Sequence, residues 1–183
     1  MAPWGSAGKT TPRFLGQFSH YLFRYATWLP VLIAFNSYVA QVTWIRGPSM
    51  YPFLNPQYNE SLRKDLCLVS KWSPHRNLER GMIVVFRSPE NPHVTVVKRI
   101  VALEGDVVRT KPPYPYEHAK VDVGHVWVEG DGDKTKDSNY YGPVSTGLIT
   151  GRITHILTPL DRAGRVRWWE HAEREGVQKA QAS

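Results

Sequence analysis

One serine in the chain has neighbours that could make it reactive. Ser49 lies in the segment RGPSMYPFLNP, which runs from Arg46 to Pro56 and directly follows a long uncharged run. A serine hydroxyl attacks a carbonyl carbon efficiently only when a neighbouring base takes its proton. If Ser49 is a nucleophile, the rest of the chain must supply that base. Without one, Ser49 is an ordinary turn residue.

The chain offers two kinds of base, histidine and lysine. None of the histidines is singled out by its surroundings, and several fall in turns or beside prolines; they are His20, His75, His93, His118, His125, His155 and His171. The segment VTVVKRIVALEGD is more informative, because it places Lys98 and Arg99 inside an apolar strand. Alternate residues of a strand point to opposite faces, so each of these cations shares its face with apolar side chains.

Two adjacent cations on a strand with two apolar faces are costly to bury. A guanidinium stays charged, so Arg99 needs an acidic partner, for which Asp131, Asp133 and Asp137 are the candidates. A lysine can lose its proton instead. A decrease of its pKa from about 10.4 to 7 or 8 corresponds to roughly 3 to 5 kcal/mol of differential solvation. A neutral Lys98 could act as a general base. In the alternative interpretation, Lys98 extends its ammonium group to the surface from a strand end.

Charge is distributed unevenly along the 183 residues, whose formal net charge is +7. Residues 1–59 contain four cations and no acidic residue, whereas the later part mixes both signs. An acid-free N-terminus containing arginine is typical of a mitochondrial targeting segment, and a basic disordered tail is the alternative for residues 1–24. Cys67 is the single cysteine, which excludes an internal disulfide, and no cysteine and histidine cluster has metal-ligand spacing.

Residues 25–45 form an uncharged run of 21 residues. As a helix, this run would be about 30 Å long, enough to cross a bilayer once. A half-buried amphipathic helix remains the alternative, because Pro30 and several polar residues weaken the hydropathy. The basic residues precede the span, which predicts an N-terminus inside and residues from 47 onward outside. Ser49 would then lie close to the membrane surface.

The remaining chain has the pattern of a mainly antiparallel β domain over residues 46–160. Short β-branched runs such as MIVVF, VTVVKRIVAL and GRITHILT alternate with turns rich in proline and asparagine. Residues 161–183 are charged enough to be a surface helix or a disordered tail. The predicted organisation is therefore a basic N-terminal segment, one transmembrane helix, a β-rich domain and a charged C-terminal tail.

Four motifs in order resemble the conserved boxes of type I signal peptidases, the membrane-anchored Ser-Lys proteases. GPSMYPFLNP is similar to the nucleophile box and VVKRIVALEGD to the base box. RGMIVVF is similar to the Arg-Gly-Asp strand, and GHVWVEGDGDKTKDSNYYGPV to the Gly-Asp-Asn and Asp-Ser boxes. Within the family, the Asn-Pro after the serine box and the segment from PPYPY to GHVWVEGD most resemble subunit 2 of the mitochondrial inner membrane peptidases.

The resemblance implies a role for several residues. Ser49 corresponds to the nucleophile and Lys98 to its general base, and the Ser49 backbone N–H to an oxyanion donor. The supporting group consists of Asp137 with Thr135 or Ser138, which would orient the lysine through hydrogen bonds. We also expect Met50 and Val96, beside the two reactive residues, to contact the substrate.

Four positions depart from the family pattern. Gly47 replaces a serine that some bacterial members use in the oxyanion hole, and Gly132 stands where the family usually has asparagine. Asn139 replaces an arginine, and Met82 replaces the aspartate of the Arg-Gly-Asp strand. These departures leave Ser49 and Lys98 in place and affect the residues that support them.

The resemblance implies an endopeptidase that removes hydrophobic sorting peptides from proteins bound for the mitochondrial intermembrane space. It implies a location in the inner membrane with the N-terminus in the matrix, no cofactor or metal, and a heteromer with a paralogous subunit. The alternative is a non-catalytic subunit that stabilises such a heteromer. A basic module that binds nucleic acid or lipid is disfavoured by the mixed charges after residue 60, and a soluble self-cleaving repressor with the same dyad by the predicted span.

Overall fold

The computed structural model describes residues 21–57, 64–132 and 135–179. It consists mainly of antiparallel strands, which confirms the predicted fold class. The strands, numbered in chain order, are β1 Ala40–Trp44, β2 Leu66–Ser70, β3 Ile83–Arg87, β4 Thr95–Ala102, β5 Val107–Arg109, β6 His118–Lys120, β7 His125–Glu129, β8 Val144–Ser145, β9 Ile149–Thr158, β10 Gly164–Arg165 and β11 Val177–Gln178.

The strands form two sheets. The larger sheet has eight strands in the order β1-β2-β9-β3-β4-β7-β8, with β10 paired to β9. The smaller sheet has the order β11-β5-β6. Among the described strands, β1 has a neighbour on one side only, and β7 pairs with β4 only from Arg99 onward. No described strand therefore pairs with the first half of β4 on that side or with the other edge of β1.

Helices are short in the described part of the chain. Residues 21–26 are helical. The other helices are α1 Leu29–Tyr38, α2 Ser138–Tyr141 and the 3-10 turns Thr146–Leu148, Leu160–Arg162 and Trp168–His171. Pro30 lies in the first turn of α1, where its missing N–H costs no hydrogen bond. No residue of α1 is buried, so this apolar helix contacts little of the domain.

The single helix predicted over residues 25–45 is not observed. A turn at residues 27 and 28 precedes α1, which ends at Tyr38, and Ala40–Trp44 form a strand antiparallel to β2. Pairing with residues 66–70 thus overrides the local hydropathy. Among the described residues, no helix combines the length and the apolar character that crossing a bilayer requires.

Three apolar clusters fill the interior. The first joins the segment after β1 to β2, β3 and β9 and includes Ile45 and Leu54. The second packs β3 and β4 against β7, and the third lies around Trp127. Burying these side chains is the main stabilising contribution, at about 25 cal/mol per Å² of apolar surface.

The segment after residue 160, which we predicted to be a charged surface helix or disordered tail, packs against the β domain. Val166 is 3% exposed and belongs to the first core cluster. Gly164 and Arg165 pair with β9, and β11 pairs with β5. The described part of this segment therefore belongs to the β domain instead of forming a separate tail.

Candidate active site

Ser49 lies in the tight loop that follows β1. Tyr51 N–H donates to Pro48 O at 2.9 Å, and Leu54 N–H donates to Met50 O at 2.7 Å. Gly47 has a φ of +88°, a left-handed conformation that other residues rarely adopt. Glycine adopts this conformation without the strain that a serine would have here. Ser49 itself is half-buried, so its hydroxyl group is held at the surface of the domain and not inside the core.

Lys98 lies in the middle of β4, opposite Val84 of β3. The residue is 3% exposed and Arg99 is 7% exposed, which confirms that this strand buries two adjacent cations. Loss of solvent lowers the pKa of the Lys98 amine, and the charges of Asp137 and Asp131 oppose that decrease. Burial is the larger effect. Lys98 does not extend its ammonium group into open solvent from a strand end.

Ser49 and Lys98 line the same cavity, which has a volume of about 620 Å³. Its walls come from the two open edges, the end of β1 on one side and Thr95 to Lys98 of β4 on the other. Val96 and Thr135 also line this cavity. The fold thus brings together residues that are 49 positions apart in the sequence.

Met50, which we expected to contact the substrate, is buried in the core instead. It is 1% exposed and packs in the first core cluster with Ile45 and Leu54. It is not among the residues that line the cavity. The residue after Ser49 points into the core because the loop needs an apolar anchor there. Trp44 and Thr43 of β1, which the motifs did not indicate, line the cavity instead.

Asp137 organises the segment between β7 and α2. Its carboxylate accepts hydrogen bonds from Thr135 Oγ1 at 2.8 Å, Gly130 N–H at 3.2 Å and Asn139 N–H at 3.0 Å. Thr135 belongs both to this network and to the cavity wall. Ser138 is fully buried, and its Oγ accepts from Val128 N–H at 3.0 Å. Ser138 therefore fastens α2 to β7, whereas Asp137 and Thr135 lie beside the cavity.

Asn139 is a supporting residue that the motifs did not reveal. Its side-chain amide donates to Asp137 Oδ1 at 3.1 Å, and its Oδ1 accepts from Lys111 N–H at 2.7 Å. Where the family pattern has an arginine, this chain has a neutral amide that binds the Asp137 carboxylate. The departure at position 139 therefore loses a charge. The signal available in the sequence was that Asn139 departs from the family pattern directly after Asp-Ser.

Arg99 finds its acidic partner in Asp131, one of the three predicted candidates. The guanidinium donates two hydrogen bonds to the carboxylate, at 2.9 and 2.6 Å, and a third to Gly81 O at 3.0 Å. It also lies over the Phe53 ring, 4.6 Å from the centroid. Arg99 thus connects the lysine strand to the Ser49 loop and to the segment after β7.

Two glycines allow the segment after β7 to approach the Ser49 loop closely. Gly132 N–H donates to Ser49 O at 3.3 Å. A Cβ atom at Gly130 would lie 2.5 Å from Ser49 O, and one at Gly132 would lie 2.7 Å from Pro48 O. An asparagine, the usual family residue, would not fit at position 132 without movement of the loop. The glycine is therefore required by the close approach of the backbones.

Sequence comparison identifies the family. Residues 19–114 match the model of "Signal peptidase, peptidase S26". The chain belongs to this signal peptidase family. A mitochondrial inner membrane protease subunit 2 of Schizosaccharomyces pombe is 46% identical over 140 residues, covering 76% of this chain and 76% of that protein.

Two mouse relatives distinguish the branches of the signal peptidase family. The mitochondrial inner membrane protease subunit 2 of Mus musculus is 45% identical over 141 residues, covering 75% of this chain and 78% of that protein. The subunit 1 of the same species is 37% identical over 134 residues, with coverage of 71% and 76%. This signal peptidase chain is therefore more similar to subunit 2 than to subunit 1, as its motifs predicted.

Proposed function

We propose that this chain is a membrane-anchored serine endopeptidase in which Ser49 is the nucleophile and Lys98 the general base. The observation that carries the proposal is the shared cavity, in which a half-buried serine and a buried lysine of lowered pKa lie between two open strand edges. A larger fraction of such a lysine is neutral at neutral pH than of an exposed one, and only the neutral amine can accept a proton.

The reaction has two steps. Neutral Lys98 takes the proton of the Ser49 hydroxyl as Oγ attacks the substrate carbonyl carbon. The C–N bond breaks, the Lys98 ammonium gives its proton to the leaving amine, and an acyl-enzyme ester remains. Lys98, neutral again, then takes a proton from a water molecule that attacks the ester, and the carboxylic acid leaves as Ser49 recovers its proton. The Ser49 N–H contributes one donor to the oxyanion.

The substrate binds as an added strand. The open edges of β1 and of Thr95 to Lys98 in β4 offer backbone groups on both walls of the cavity, and an extended peptide would pair with them. Val96 and Thr43 line this groove, so side chains near the cleaved bond meet small apolar and hydroxyl groups. The precursor thereby completes an unfinished part of the sheet.

The substrates we propose are precursors whose hydrophobic sorting peptides direct them to the mitochondrial intermembrane space. The described N-terminal region exposes many large apolar side chains from residue 21 to Tyr38, and Trp44 and Tyr51 continue this surface beside Ser49. An apolar surface of this kind favours contact with a bilayer. We place the N-terminus in the matrix and the β domain in the intermembrane space, with an anchor formed by the N-terminal region.

We further propose a heteromer with a paralogous subunit, because the relatives include both subunit 1 and subunit 2 of the mitochondrial inner membrane protease. This arrangement leaves a second candidate function, that of a non-catalytic subunit that stabilises its partner. The two candidates differ in one respect. Only the peptidase needs the Ser49 hydroxyl group while the partner is intact.

The test is precursor processing in mitochondria that carry variants of this chain and an unaltered partner. Ser49→Ala and Lys98→Met should each abolish cleavage of a subset of precursors while membrane association and partner level stay normal. Methionine keeps the length and apolar stem of lysine but has no proton acceptor. Lys120→Met, on the exposed strand β6, is the matched control and should process normally. Normal cleavage by Ser49→Ala would favour the non-catalytic subunit, and normal cleavage by Lys98→Met would refute the dyad.

A further inference from the structure

A second cavity continues the catalytic cavity along the sheet. Its volume is about 580 Å³, and it lies between the end of α1, β1 and the paired strands β3 and β4. Thr43, Val85 and Thr95 line both cavities. The two cavities therefore form one groove, which we call the extended groove, and a peptide in an extended conformation can pass from one part to the other.

The extended groove is lined by cations and by no acidic residue of the described chain. Arg46 and Lys136 line the catalytic part beside Lys98, which the proposed mechanism holds neutral, and Lys71 and Arg87 line the continuation. Lys136 also forms an ion pair with Glu90. Hydroxyl and amide side chains make up most of the remaining polar lining. A groove with charge of one sign attracts ligands of the opposite sign and disfavours those of the same sign.

In the continuation of the groove, Arg87 is available to bind a substrate side chain. It is exposed, and among the described residues no carboxylate forms an ion pair with it. Other arginines of the domain do have such partners, as Arg99 has Asp131 and Arg80 has Asp106. Lys71 is less available, because its ammonium group donates to Asn36 O at 3.1 Å.

The strand register gives the offset, along the strand direction, between Arg87 and Lys98. Arg87 pairs with Thr95, and Lys98 follows three positions later on β4. At about 3.3 Å per residue, Thr95 and Lys98 are roughly 10 Å apart along the strand. A substrate strand at the open edge of β4 would therefore have a residue level with Arg87 about three to five positions from the cleaved bond. Arg87 is on β3, on the other side of β4, so its long side chain would reach that residue across β4.

We propose that the extended groove is a specificity subsite in which Arg87 binds an acidic side chain of the precursor, three to five residues from the scissile bond. The inference rests on the proposed peptidase function, because it assigns the same groove to the same peptide. It adds a charge requirement that the nucleophile and base do not impose. A precursor with a basic residue at this position would be a poor substrate.

The test is a charge exchange between enzyme and substrate. A model precursor carries one aspartate that is moved through each position from six before to six after the cleaved bond, in a background that is neutral there. Inner membranes containing the full chain and its partner should give the highest kcat/KM with the aspartate at a position three to five residues away on one side. The expected gain over alanine is about two- to fivefold, as for an exposed ion pair.

Arg87→Glu should remove this gain and reverse the preference, so that a lysine at the same position becomes better than an aspartate. Lys120→Glu, the same charge reversal on the exposed strand β6, should keep the aspartate preference. Two results would overturn the subsite. One is a kcat/KM that does not change with the position of the aspartate, and the other is an equal loss of kcat/KM for aspartate and lysine substrates in Arg87→Glu. Cleavage that persists in Ser49→Ala would instead overturn the proposed function, so the two failures are distinguishable.

Discussion

Replacing Asp131 by asparagine removes one charge from the ion pair that connects three parts of the site. The Arg99 guanidinium, with a side chain 8% exposed, makes two hydrogen bonds to Asp131, whose side chain is 19% exposed. Asparagine has nearly the same volume but can accept only one of these bonds as a neutral group. The change therefore leaves a buried cation without its counter-charge and does little to the packing.

The expected cost follows from the burial of the pair. Breaking a buried ion pair by removing one partner costs about 3 to 5 kcal/mol. Arg99 keeps its bond to Gly81 O and its contact with the Phe53 ring, and Asp131 is partly solvated. We therefore expect the free energy of unfolding to fall by about 2 to 3 kcal/mol. For a chain of this size, the melting temperature should fall by about 4 to 12 °C.

Denaturant unfolding of the full chain in detergent, followed by tryptophan fluorescence, measures this loss. Asp122→Asn is the matched control, because Asp122 is exposed on the connection before β7 and belongs to no ion pair in the described part of the chain. That variant should stay within about 0.5 kcal/mol of the wild type. If Asp131→Asn and Asp122→Asn are equally stable, Arg99 does not depend on Asp131 as argued.

Three further predictions concern burial and close packing. The pKa of Lys98 is lowered in the folded chain, so between that pKa and the unfolded value the unfolded chain holds more protons and stability rises with pH. From neutral to mildly alkaline pH, the unfolding free energy of the wild type should therefore rise more steeply than that of Lys98→Met; equal slopes would contradict the burial of a titrating amine. Burial raises the pKa of the Cys67 thiol to about 12, so iodoacetamide should label the native chain only as fast as it unfolds, with prompt labelling as the contrary result. A Cβ atom at Gly130 would lie 2.5 Å from Ser49 O, so Gly130→Ala should lower precursor cleavage about 10- to 100-fold. Gly147→Ala is the control and should cleave normally, because the added atom there makes only an ordinary van der Waals contact.

The strand that bears Lys98 was predictable because its pattern is local. Apolar residues on both faces of VTVVKRIVAL require burial on both sides, and burial of two cations requires an acidic partner for the one that stays charged. The structure confirms both points, with Asp131 as the partner. The choice among three aspartates needed the register between β4 and β7, which no local pattern contains.

The path of residues 25–45 was not predictable in the same way. Hydropathy favours one helix over the run, but Ala40–Trp44 pair with β2, more than 20 residues further along the chain. Likewise, Met50 follows Ser49 in the motif, yet the loop turns its side chain into the core. Charge along the last segment suggested a tail, whereas Val166 is held by a cluster whose other members come from earlier strands. In each case the decisive contact is long-range.

The most direct measurement of the central claim is the titration of the Lys98 amine itself. Selective isotope labelling of lysine side chains, with Lys98→Met to assign the signal, gives the pKa of this group in the folded chain by NMR. We expect a pKa below the ordinary lysine value of about 10.4 and equal to the pKa of the rising limb of kcat/KM for precursor cleavage. A Lys98 signal that titrates at the ordinary value, while cleavage is already maximal at neutral pH, would contradict the role of Lys98 as general base.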